Sequence, residues 1–184
     1  VRGLNGMLVD RFSSEAQQNV FIGGWNGILA MLNVGYAAGH FIENQLSAKW
    51  AVHQGACSAL LMANVLRYHS TSHVSAAQQQ RISSTLGFPT QPAAELIGDL
   101  AHRVIARAGM PRTLAEVGAT GEALQAFAAE IFEAHSQTLN NISPRPFQSS
   151  EDLLELLLLT VGRPQLVVVG GNYSYTANGE RHGN

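Results

Sequence analysis

The chain has 184 residues, 46% hydrophobic and 13% charged, with a formal net charge of -2. That length suits one domain with a core of its own, and the modest charge argues against disorder. Lys and Arg are scattered, so there is no basic footprint for nucleic acid.

Val1-Arg2-Gly3-Leu4-Asn5-Gly6-Met7 lacks both an initiator Met and the charged-then-apolar order of a signal peptide. No apolar run reaches the roughly 18 residues of a membrane span. The expectation is a chain with no membrane partner, cut from a longer one.

Phe21, Trp25, Leu29, Leu32, Tyr36 and His40 recur at helical steps, which predicts one long helix over about residues 15–46. Gly23, Gly24, Gly27, Gly35 and Gly39 weaken such a helix by up to about 1 kcal/mol each relative to Ala. They make sense where other backbone or a ligand comes close, so this helix is expected to be central. Residues 56–68 are apolar nearly all round, as in a buried helix. Cys57 lies in that run as the single cysteine, which excludes an internal disulfide and fits a buried small hydrophobe. A reducing compartment follows, and the cytoplasm is the expected location.

A helix over 75–86 stops at Gly87 and Pro89, and a clean amphipathic stripe from Ala93 to Ala108 stops at Gly109 and Pro111. Residues 121–134 repeat the pattern. Ser149, spaced from Asp152 like a capping box, opens a last helix to Val161, closed by Gly162 and Pro164. The prolines of Asn140-Asn141-Ile142-Ser143-Pro144-Arg145-Pro146 fix an extended loop. Only Leu166-Val167-Val168-Val169 reads as a strand, and Asn172 to Asn184 reads as a loose tail. The fold class is therefore all-α: a helical bundle with a short extended C-terminal tail.

Imidazoles and carboxylates hold transition metals, so the seven histidines are the first candidates for a site. His102, His135 and His182 read as solvated residues. His69 and His73 have a bridging spacing, but Ser70-Thr71-Ser72 between them suggests a helix end. His40 stands apart because it continues the apolar stripe, where a buried imidazole needs partners for both ring nitrogens.

Gly39-His40-Phe41-Ile42-Glu43-Asn44-Gln45-Leu46-Ser47, then Val52-His53-Gln54-Gly55-Ala56, then Ala59 through Tyr68 with Val65-Leu66-Arg67-Tyr68 at its end, resemble one known pattern. It is that of the C-terminal domain of iron-containing alcohol dehydrogenases: a helix ending in His, a Leu-Gly, a Pro-His-Gly, and a buried helix finishing near Val-Leu-Arg-Tyr-Asn. Leu86-Gly87, Gly109 through Gly118, and Asn141 through Pro146 followed by Glu151-Asp152-Leu153 look like the maleylacetate reductase branch. The resemblance implies a family domain over residues 1–164 and a non-family tail over 165–184.

It further implies a nicotinamide-dependent oxidoreductase in which Fe or Zn polarises a carbonyl. NADH or NADPH would be held by an N-terminal Rossmann-like domain that this chain lacks, the substrate would be a small oxo-acid, alcohol or aldehyde, and a homodimer is a common family assembly. His40 would be a metal ligand and Asn44 would face the substrate. Counted without gaps from His40, the family's second metal His falls on Gln54, while His53 takes the place of its usual Pro. His53 and Gln54 are thus alternative ligands.

Neither the family's Asp nor the second His on the same helix is present, since Asp10 has no His four residues on, and Leu166 to Gly171 lacks GxGxxG. The chain is accordingly expected to be inactive by itself. The alternative is a truncated or decayed helical module without enzymatic activity.

Overall fold

The computed structural model describes residues 1–158 and the strand residues 166–169 and 172–175. Eight α-helices are described: α1 (Arg2–Val9), α2 (Ser14–Val34), α3 (Ala38–Trp50), α4 (Gln54–His69), α5 (His73–Thr85), α6 (Ala93–Arg107), α7 (Gly121–Asn141) and α8 (Ser150–Leu158). A 3-10 turn, Ala115–Val117, precedes α7. Two short strands, β1 (Leu166–Val169) and β2 (Asn172–Tyr175), pair antiparallel. The architecture is all-α with this hairpin appended. β1 lies where the apolar run placed it, whereas β2 falls in the stretch expected to be loose. The expected end of the last helix at Val161 lies outside the described residues.

α4 is the hub. It packs against α3, α5, α6 and α8, while α7 joins α3 and α8. Its apolar surface is buried nearly all round, with Ala56, Cys57, Leu60 and Leu61 at 1% exposure or less. Leu124, Phe127, Phe147, Leu153 and Leu156 close the same core from α7, the following loop and α8. Each such side chain contributes about 1.5–3 kcal/mol by leaving water. α6 approaches α4 so closely that a Cβ on Gly98 would lie 2.6 Å from the Ala63 Cβ, which is why glycine stands there.

The long helix expected over 15–46 is two helices bent by 109°. Gly35 ends α2 with φ +70° and gives its N–H to the Met31 carbonyl, a stop that the unbroken apolar stripe conceals. Nor is α2 central. Its described neighbour is α1, which it meets at Gly3 and Gly6: a Cβ there would sit 2.6 Å from the Val20 nitrogen and 2.8 Å from the Ala16 Cβ. Beyond that crossing every residue from 21 to 30 is exposed, including Phe21 and Trp25. A Cβ on Gly23, Gly24 or Gly27 would meet nothing within 4 Å among the described residues, whereas one on Gly39 would meet Val65 at 3.2 Å. Among the described residues, no single helix is long and apolar enough to cross a membrane.

Candidate functional site

The turn between α3 and α4 brings the candidate residues together. α3 stops at Ala51, which adopts a left-handed φ of 52°, an uncommon state for a residue with a Cβ. The Ser47 hydroxyl donates to the Val52 carbonyl at 2.7 Å and ties the turn down. α4 then begins beside the end of α3.

His53 is the N-cap of α4. Its Nδ1 accepts the Gly55 N–H at 3.1 Å, satisfying one of the donors left over at a helix start. Gln54 reaches back to α3, and its Nε2 donates to the Asn44 Oδ1 at 2.8 Å. Asn44 and His40 are four residues apart on α3 and so share a face. The amide pair therefore lies one turn from the imidazole. With that bond made, the Asn44 Nδ2 donors and the Gln54 Oε1 acceptor have no partner among the described residues, and both residues are exposed.

His40 is constrained twice. Its ring stacks on Tyr36 with centroids 4.1 Å apart and planes 12° from parallel. Its Nδ1 contacts the carboxylate of Glu43, a residue that is 7% exposed overall and lies next to Ile42 in the buried face of α3. Nε2 has no hydrogen-bond partner among the described residues. Glu43 also helps to hold the buried Cys57 thiol above its ordinary pKa, after the larger effect of burial itself. Neither Glu43 nor Tyr36 stood out in the sequence as a site residue. The available signal was an acidic residue one turn from His40, interrupting an apolar stripe.

The remaining described histidines add nothing to this site, and His182 lies outside the described residues. His69 is buried and its Nε2 lies 2.8 Å from the Ser143 Oγ, while His73 is exposed at the start of α5, so the two form no metal pair. His102 and His135 are half-buried, which corrects their reading as solvated. Burial pushes the His102 pKa down against the opposing charge of Asp99, and His135 sets its ring edge-on to Phe41 at 5.2 Å.

At the far end of α4, the proline-bounded loop is clamped to the helix. Arg145 lies 3.9 Å over the Tyr68 ring and donates to the Tyr68 carbonyl at 3.2 Å. Asn140 holds Phe147 through two hydrogen bonds, to its carbonyl and from its N–H. This clamp places α8 under the core and takes no part in the site.

These positions match a family pattern along most of the chain: the Fe-containing alcohol dehydrogenase family, C-terminal, matches residues 1–159. The chain belongs to that family. No curated protein matches it. The all-helical architecture is that of the family's C-terminal domain.

The family's iron does not fit the residues of this site by themselves. A stable transition-metal site needs three or four protein ligands. Here the imidazole of His40 offers one nitrogen. Gln54, at the second ligand position, is an amide already bonded to Asn44, and His53 spends Nδ1 on capping α4. Among the described residues no group of three His, Cys, Asp or Glu side chains converges on a point that could hold a metal ion.

Proposed function

We propose that this chain is the substrate-facing part of an NAD(P)H-dependent oxidoreductase, and that its substrate is a small oxo-acid of the kind reduced in the maleylacetate reductase branch. The observation that carries the reading is the face shared by His40 and Asn44, with Gln54 bonded onto it. The Asn44 Nδ2 hydrogens are donors aimed by their own carbonyl's bond to Gln54, and they suit a carboxylate or carbonyl oxygen. His40 Nε2, with no described partner, would hold or move a proton at a second substrate oxygen. The nicotinamide, which supplies the hydride when bound, would sit on a dinucleotide-binding domain outside these 184 residues. His53 Nε2 and Gln54 Oε1 are the groups left to support His40 toward a metal, and they make at most a partial set.

Titrating 3-oxoadipate into the labelled protein tests the substrate reading. NMR shifts should concentrate at His40, Asn44 and Gln54, and Asn44→Ala should weaken binding about tenfold, the effect of one hydrogen bond to a charged group. No shift at millimolar ligand, or shifts elsewhere, would overturn it.

The second reading is a helical module that keeps the packing without chemistry. The mutual bond of Asn44 and Gln54 favours it, because two amides satisfying each other need no ligand. Under that reading Asn44→Ala with Gln54→Leu leaves every binding measurement unchanged.

A further inference from the structure

We propose that Glu43 is a positioning residue for His40: it accepts the Nδ1 hydrogen and so leaves the Nε2 lone pair free. An acidic residue three places from a histidine on a helix is ordinarily surface decoration worth a few tenths of a kcal/mol. Glu43 is not on the surface. Its side chain is 9% exposed and that of His40 is 32% exposed, so the carboxylate is the deeper of the two.

Burying a carboxylate is costly unless it is paired and hydrogen-bonded, and an apolar residue among Ile42, Leu46 and Cys57 would stabilise the core at least as well. Stability therefore does not explain Glu43. Orientation does. An ionised carboxylate only accepts hydrogen bonds, so its place beside Nδ1 favours the ring form that carries a hydrogen on Nδ1. In the neutral ring that fixes the hydrogen away from Nε2, the nitrogen with no described partner. The Tyr36 stack fixes the plane of the ring, and Glu43 fixes its rotation. Carboxylate-oriented imidazoles are the usual way to present one nitrogen to a ligand or a proton. The use of that nitrogen on a substrate oxygen rests on the function proposed above, whereas the tautomer does not.

The test is the tautomer of His40 in ¹⁵N-histidine-labelled protein, read by long-range proton–nitrogen correlation at a pH where the imidazole is neutral. The expected pattern is a protonated Nδ1 and an unprotonated Nε2. In Glu43→Leu the Nε2–H form should rise several-fold. Glu43→Gln, which keeps the shape and can donate as well as accept, should shift the population the same way if the Leu variant fails to fold. Unchanged His69 signals would show that the core is intact. A wild-type His40 protonated on Nε2, or a tautomer indifferent to both substitutions, would overturn the proposal. No substrate, metal or cofactor enters the measurement, so its failure is distinct from failure of the oxo-acid titration.

Discussion

The α1–α2 arm is built from sequence at least as apolar as that of the α3–α4–α7–α8 core, yet the two do opposite things with it. In the core, helices interlock and side chains such as Leu156 lose all exposure; on the arm, Leu32 keeps 76% and Trp25 keeps 57%. A periodic apolar stripe says that a face gains by being covered. It does not say that the cover lies among the same residues.

The sharpest break of this comparison is a pair of identical truncations. Leu156→Ala should cost about 2–5 kcal/mol, the range for emptying a close-packed leucine site. Leu32→Ala should change stability by less than about 0.5 kcal/mol, as for exposed positions free of special contacts. Denaturant melts of both variants read the difference, and comparable losses would mean that the arm is packed in solution.

A smaller effect, but with a change of sign, comes from glycine. Gly98→Ala pushes a methyl into Ala63 and should destabilise by about 1–3 kcal/mol, as overpacking does. Gly24→Ala meets nothing within 4 Å and should stabilise by up to about 1 kcal/mol through helix propensity alone. Thermal melts that moved in the same direction would contradict the split.

The smallest effect is one of pH, and it belongs to the core. Burial holds the His69 imidazole below its ordinary value, with Arg145 acting the same way against an opposing hydrogen bond to the Val65 backbone. The folded state therefore binds fewer protons than the unfolded chain in mild acid. Stability from this group is full above the unfolded value of about 6.5, and is lost as the pH falls from there through the lowered folded value. Burial gives His102 the same sign. His69→Gln should make the fall in melting temperature between about pH 7 and 5 shallower; an unchanged slope would remove His69 from the account.

The helices with a polar face and chemical stops were legible from sequence. α6 is the clearest, running from Ala93 to a turn at Gly109 close to where its stripe begins and breaks. α7 continues to Asn141, well beyond the expected end, because no breaker follows His135 until the prolines. The bend at Gly35 was hidden because the apolar period carries straight across it, and α1 because eight residues with two glycines are too short a run to establish a period.

The family pattern singled out His40, Asn44 and Gln54 as candidates, and the approach of Gln54 to Asn44 across the turn follows from the α3–α4 connection. Glu43 was not, since its significance depends on burial, and burial of one carboxylate in an apolar stripe cannot be told from a solvated face without the fold.

Asn44 and Gln54 form a hydrogen-bonded amide pair one turn from the His40 imidazole, and His40, His53 and Gln54 make at most a partial metal site. Metal content of the purified chain tests it directly, after loading with Fe(II) or Zn(II) and exhaustive dialysis. The expected result is far less than one equivalent per chain, with no further loss in His40→Ala. One equivalent retained by the wild type, and lost in His40→Ala and His53→Ala but not in Gln54→Ala, would contradict the account and show that the second ligand had moved to His53.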